Sequence, residues 1–136
     1  MRYAITGASR GLGLEFVRQL LNRGDSIDAG VRSPADARQL QGLSRDSRGR
    51  LRVHALDVSN PRSVAGFAAE VGQGEPLDVL INNAGVFGKN EYLGRLDFED
   101  MASTFTTNAL GPLRLTSALL PALRRGSARR IIHITS

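Results

Sequence analysis

The chain of 136 residues contains no cysteine, which excludes a disulfide framework, a thiolate-held metal and a cysteine nucleophile together. It contains a single lysine, Lys89, so nearly all of its positive charge is arginine. No apolar run approaches the roughly 18 residues that cross a bilayer as a helix. Met1-Arg2-Tyr3-Ala4-Ile5-Thr6 runs into a glycine-rich turn instead of the apolar stretch of a signal peptide, so cytoplasmic synthesis is the expectation. Aromatic residues make up only 5% of the chain, and no nucleic-acid motif is recognisable. A nucleic-acid partner is therefore not expected, although the formal net charge of +5 suits anionic partners in general, a phosphorylated small molecule among them.

What is present is the composition of a soluble globular domain, with 41% hydrophobic and 23% charged residues and 15 glycines. At this length one domain over residues 1–136 with one core is expected. Tyr3-Ala4-Ile5-Thr6, bounded by Gly7, predicts a buried parallel strand. Leu12, Phe16, Val17, Leu20 and Leu21 then recur at helical spacing, and Gly24 stands where a helix would be capped. Ser26 to Val31 reads as a second strand with an awkward charge, Asp28, inside it. Ala35 to Leu43 predicts a helix and Leu51 to Leu56 a third strand.

Asn60-Pro61 has the cap and first-turn signature of a helix whose apolar stripe is Val64, Phe67, Ala68 and Val71. Val79-Leu80-Ile81 predicts a fourth strand. From Phe98 to Leu123 the pattern is helical in two pieces, broken near Asn108 to Pro112, and Arg130 to Thr135 predicts a fifth strand. Alternating strands and helices argue for a parallel sheet covered on both faces.

Thr6-Gly7-Ala8-Ser9-Arg10-Gly11-Leu12-Gly13 sits where the first strand hands over to the first helix. Glycines there permit a tight turn, let backbone approach a pyrophosphate and allow close helix packing, while free N–H groups at the helix start face the anion. Glycine spacing alone also fits an ordinary strand-to-helix turn. The context, a first strand before it and an amphipathic helix after it, favours a nucleotide site.

The spacing Gly-x-x-x-Gly-x-Gly resembles that of the short-chain dehydrogenase/reductase family. Asn82-Asn83-Ala84-Gly85 after the fourth strand, Leu56-Asp57-Val58 after the third, Asn108 in the long helix and Ser136 at the end of the fifth strand match the family in order. The resemblance implies a Rossmann-like, doubly wound α/β fold. The chain would be its N-terminal five-strand portion, in order 3-2-1-4-5, with the C-terminal part absent. It also implies cofactor contacts from Gly7, Ser9, Arg10, Gly11, Leu12, Gly13, Asp57, Val58, Asn83, Ala84 and Gly85. Asn108 and Ser136 would be catalytic, the serine orienting a substrate oxygen and the asparagine holding a water relay.

In dinucleotide folds an acid after the second strand binds the ribose hydroxyls of NAD, whereas an arginine there accommodates the 2′-phosphate of NADP. Here the strand ends Ala29-Gly30-Val31-Arg32-Ser33 with no carboxylate at its tip. Arg32, with Arg10 in the turn, favours NADP(H) over NAD(H). Either arginine taken singly also fits a solvated surface charge.

The resemblance further implies an oxidoreductase acting on a small carbonyl or alcohol substrate, and a homo-oligomer. The family's Tyr-x-x-x-Lys is not found: Tyr3 and Tyr92 are followed four residues later by Gly7 and Leu96. Efficient turnover is not expected of these residues alone. The fifth strand is expected to leave an exposed edge that invites association.

A narrower likeness, in Leu93 to Asp97, Asn108 to Arg114 and Leu119 to Ser136, points to a family member that acts as an intercellular developmental signal. That gives an alternative function and an envelope-associated alternative location. Structural readings are expected for His54 and His133, which have no second ligand at metal spacing. Asp57 also fits a residue leading into the helix capped by Asn60, and Asn82 and Asn83 fit partners for sheet backbone. Arg124, Arg125, Arg129 and Arg130 fit cations at a helix C-terminus.

Overall fold

The computed structural model describes residues 1–89 and 91–135. Five parallel strands form one sheet in the order β3-β2-β1-β4-β5: β1 Arg2–Thr6, β2 Ser26–Val31, β3 Leu51–Ala55, β4 Val79–Asn82 and β5 Arg130–His133. Helices α1 (Gly11–Asn22), α2 (Arg38–Asp46), α3 (Pro61–Gly72), α4 (Phe98–Phe105) and α5 (Gly111–Arg125) alternate with them. This is the doubly wound Rossmann-like architecture. Because successive side chains of a strand point to opposite faces, β1 supplies both cores. Tyr3 and Ile5 pack with Val17, Leu20 and Leu40 of α1 and α2, and Ala4 packs with Phe67, Leu115 and Leu119 of α3 and α5.

Local chemistry fixes the helix ends. Gly24 takes φ +90° and donates to Leu21 O while Asp25 N donates to Leu20 O, the paired bonds of a Schellman close. The Asn60 side chain accepts from Arg62 N and Ser63 N and so caps α3. Gly126 ends α5 against Leu77, whose carbonyl oxygen would lie 2.0 Å from any Cβ placed there.

Several expectations are corrected. The helix expected over Ala35 to Leu43 is a single 3-10 turn at Pro34–Asp36 followed by α2 from Arg38. Ala37, at φ −81° and ψ 61°, separates the two. The expected break near Asn108 is a wider turn instead: Thr106–Leu110 form a π turn with Gly111 N bonding Thr106 O, so α4 runs on into α5. β5 stops at His133, and β3 stops at Ala55, where Leu56 turns in beneath Gly30. β5 is exposed along its length, with Ile131 and Ile132 about two-fifths accessible, which matches the expected open edge.

Asp28 turns out to be an organising residue, fully buried on β2. Its carboxylate accepts from Arg2 Nε at 2.9 Å, Arg52 Nη2 at 3.1 Å and His54 Nε2 at 2.8 Å. The buried Arg2 guanidinium continues to Val71 O in the last turn of α3 and to Glu75 O in the loop beyond it. His54 Nδ1 lies 2.6 Å from Glu70 Oε2, and its ring meets Phe67 edge-on. A neutral imidazole has one N–H, so carboxylates at both ring nitrogens favour the doubly protonated form.

Burial works against the charge of Asp28, but the hydrogen bond from His54 and the charges of Arg2 and Arg52 outweigh it and hold the carboxyl below its ordinary 3.8. The bond to Asp28 raises His54 above its ordinary 6.5 against opposing burial, and Glu70 adds to the rise. At the amino edge of the sheet, where Arg2 begins β1, Asp78 accepts from Arg2 N and from both N and Oγ of Ser127. The Arg2 amide first, against some burial, and then Ser127 bring its carboxyl down to about 2.

A pH dependence of stability follows. The Asp28 contribution is present above its unfolded value and is lost as pH falls through the lowered folded value; the His54 contribution is present below 6.5 and is lost as pH rises through its raised folded value. Thermal unfolding is therefore expected to show a plateau between these limits. Asp28→Asn, which leaves the Arg2 charge buried without its partner, should cost about 3–5 kcal/mol. A His54 ring that titrates below 6.5 by NMR, or an Asp28→Asn chain as stable as wild type, would contradict this account.

Candidate functional site

The strand order reverses between β1 and β4, so the chain leaves their carboxyl ends in opposite directions and opens a crevice there. Thr6, the last residue of β1, joins the two strands. Its Oγ1 accepts from Asn83 N at 3.0 Å and Ala84 N at 2.9 Å. Asn83 Nδ2 donates back to Thr6 O and Gly7 O, both at 3.1 Å. The backbone-partner role expected of Asn83 is thus present, and it positions Ala84 and Gly85 beside the glycine turn.

Each glycine of the turn has its own reason. Gly7 takes φ +65°, and a Cβ there would lie 2.9 Å from Ala84 Cα. At Gly13 a Cβ would lie 2.3 Å from Gly7 O and 2.7 Å from Asn83 Nδ2, so α1 could not pack where it does with any side chain. Gly11 takes φ +55° in open space, a requirement of backbone angle alone.

Arg10 occupies the N-cap of α1 without a side-chain hydrogen bond, and the first turn carries no acidic residue. The N–H groups opening this helix are therefore left for an external acceptor. Ser9, Arg10 and Leu12 are exposed beside it.

A cleft of about 430 Å³ lies between this turn and the tip of β2. Ser9, Arg10 and Arg32 line it, as sequence reading grouped them, and so do Ser33, Asp36 and Arg38, which sequence reading missed. Their signal would have been the Ser33-Pro34 turn, which folds the following residues back over the strand tip.

Asp57 lies beyond β3, with Oδ1 accepting from Ser59 N at 3.0 Å and Ser59 Oγ at 2.6 Å. This is the local role in the approach to α3, and Oδ1 is taken by it. Val58 is buried, and its carbonyl lies against Gly111, where a Cβ would approach within 2.8 Å. Its side chain belongs to the core between α3 and α5.

Asn108 stands in the π turn, with Oδ1 accepting from Val86 N and Nδ2 donating to Val86 O, each at 2.8 Å. The turn thereby anchors the segment that follows Asn83-Ala84-Gly85. Ser136 lies outside the described residues. Tyr3 is buried in the core near the start of β1, Tyr92 is on an exposed loop under Arg95, and the ammonium of Lys89 pairs with Asp97. Among the described residues no cluster of histidine and acidic side chains could hold a metal ion.

A doubly wound sheet with a glycine turn of this spacing at its switch point defines a class, the Rossmann-like α/β folds. The profile of the short chain dehydrogenase family matches residues 2–136, and the chain belongs to that family. C-signal of Myxococcus xanthus, the protein also called C-factor, is 63% identical over 70 residues, which cover 52% of this chain and 42% of that protein. An NADPH-bound carbonyl reductase from chicken fatty liver superposes with a TM-score of 0.85 at 36% identity, over 91% of this chain and 52% of that one. A short-chain dehydrogenase/reductase from Burkholderia multivorans with bound NADP superposes with a TM-score of 0.80 at 30% identity, over 89% and 53%. The chain spans about half the length of the curated relatives it matches.

The two kinds of glycine requirement are separable. Gly13→Ala should destabilise by about 1–3 kcal/mol through forced separation of turn and helix, and Gly11→Ala by about 1–2 kcal/mol through backbone strain. Urea denaturation measures both. Only Gly13→Ala should shift the side-chain amide signals of Asn83; equal shifts in the two variants would refute the close-packing explanation.

Proposed function

We propose that residues 1–136 form the NADP(H)-binding domain of a short-chain dehydrogenase/reductase that interconverts a small carbonyl compound and its alcohol. The observation that carries the reading is the shape of the switch-point crevice: backbone so close at Gly13 and Gly7 that no Cβ fits, beside helix N–H groups with no internal acceptor. Such a cradle suits a pyrophosphate. Arg32 at the tip of β2 and Arg10 in the turn suit a 2′-phosphate, and the two solved structures named with NADPH or NADP bound are consistent with that choice over NAD(H).

When bound, the nicotinamide supplies hydride transfer to or from a carbonyl or alcohol carbon. The residues of this chain would seat and orient it. Gly7, Ser9, Gly11, Leu12 and Gly13 border the pyrophosphate, Asp57 and Val58 the adenine side, and Ala84 and Gly85 the ribose next to the nicotinamide. Asn108 acts through Val86 as a positioning residue, and Ser136 is assigned to the substrate oxygen. The reading includes a small-molecule substrate, a cytoplasmic location and a homo-oligomer. For the oligomer, α4 and α5 offer an exposed apolar stripe of Phe98, Met101, Phe105 and Leu113. No helix of the described residues is long and apolar enough to cross a membrane.

A second reading, an intercellular signalling protein that retains the dinucleotide fold and associates with the cell envelope, is favoured by the 63% identity to C-signal. The two differ in whether activity needs the cofactor. Signalling that survives Gly13→Glu would favour the second.

Titration with NADPH and NADH tests the first reading. Wild type should bind NADPH saturably, and Gly13→Glu should abolish binding by forcing α1 away from Gly7 and Asn83 and so breaking up the cradle. Arg32→Ala should weaken NADPH about tenfold while leaving NADH nearly unchanged. NADPH affinity that neither substitution alters would remove the proposed site.

A further inference from the structure

Arg38 is six residues beyond Arg32 and on a different element, yet both line the cleft beside the glycine turn. The 3-10 turn at Pro34–Asp36 and the bend at Ala37 reverse the chain and bring the first residue of α2 back over the tip of β2. Arg18 Nη2 donates to Gln39 Oε1 at 2.6 Å, a bond that ties α1 to the first turn of α2 and holds the two walls of the cleft together.

Many arginines of this chain are already committed: Arg2 and Arg52 to Asp28, Arg50 to Leu21 O, Arg125 to Gly72 O and Arg129 to Gly126 O. Arg10, Arg32 and Arg38 have no hydrogen-bond or ion-pair partner among the described residues, and all three side chains are exposed to the same cleft.

Charge decides what such a wall would hold. Three guanidinium groups and the Asp36 carboxylate leave two positive charges in excess. A phosphate monoester carries about −1.5 to −2 at neutral pH, and Arg10 and Arg32 offset by Asp36 leave only one net positive charge against it. Asp36 also sets a like charge near that phosphate, which raises the need for a further cation. The hydroxyls of Ser9 and Ser33 add neutral donors at the rim.

We propose that Arg38 is a specificity-determining residue, a further guanidinium that closes over the 2′-phosphate of the bound adenosine from the side opposite Arg10. The proposal rests on the dinucleotide reading given above and extends it to a residue that neither the glycine turn nor the tip of β2 contains. Arg38 acts on the phosphate monoester and not on the adenosine, so its effect falls on ligands that carry a 2′-phosphate.

Calorimetric titration of the protein with adenosine 2′,5′-bisphosphate and with 5′-AMP, on wild type, Arg32→Gln, Arg38→Gln and Arg38→Lys, is the test. Arg38→Gln should weaken the bisphosphate about tenfold and 5′-AMP less than about twofold, with Arg38→Lys in between. The salt dependence of bisphosphate binding should fall by about one ion in Arg38→Gln. Bisphosphate affinity unchanged in Arg38→Gln but weakened in Arg32→Gln overturns the role of Arg38 and leaves the dinucleotide reading standing. Equal weakening of both ligands by Arg38→Gln also overturns it, because that pattern marks a change in the fold of α2. A wild-type protein that binds the two nucleotides alike overturns the 2′-phosphate site and Arg38 with it, and one that binds neither removes the dinucleotide reading itself.

Discussion

The Thr6 hydroxyl accepts two backbone amides from the far side of the crevice, and much of the site depends on that junction. It holds the carboxyl ends of β1 and β4 together where their continuations part. Asn83 then returns two hydrogen bonds to the chain on either side of the Thr6–Gly7 link. With the strands locked, the glycine turn has one path, and α1 comes so close to Gly7 that only hydrogen fits at Gly13. An uncapped helix start facing a backbone cradle is the outcome, and it is built from main chain more than from side chains.

The face of the sheet that α3 covers is held by charge. Arg2, Asp28, Arg52, His54 and Glu70 come from three adjacent strands and α3, and their bonds satisfy one another in a region that would otherwise bury isolated charges. Replacing such a network with apolar residues need not weaken a protein, but removing one member strands the others. Its visible effect here is to fix α3 over β3 and β2, which in turn fixes the Asp57–Asn60 approach at the carboxyl edge. Asp78 performs a related service between β1 and the turn before β5.

Helix α5 runs from the carboxyl edge of the sheet to its amino edge. It starts at a π turn whose Asn108 holds Val86, and it packs so closely on Val58 at Gly111 that a side chain there would collide with backbone. At its other end Gly126 meets Leu77 in the same way. The apolar residues left exposed on α4, α5 and β5 mark the parts of this unit where burial is incomplete.

Strand identity and the glycine turn were legible in the sequence, and the strand order followed from the family resemblance. Short continuous apolar runs, helical stripes and the Gly7-Gly11-Gly13 spacing are local patterns, and local patterns are what a linear chain displays. Asp28 was read as a flaw in β2 because its partners lie on β1 and β3. Ala35 to Leu43 was read as one helix because the bend at Ala37 has no signature of its own. The break expected near Asn108 was a π turn, since the helix could widen to accommodate Pro112 and let Asn108 reach Val86. Arg38 could not be grouped with Arg32 until the 3-10 turn folded it back. The sequence by itself determined which segments would be strands and helices and where backbone must come close. Which charges meet was decided only by the tertiary structure, because ion pairs depend on distances of a few ångströms between residues that the chain keeps far apart.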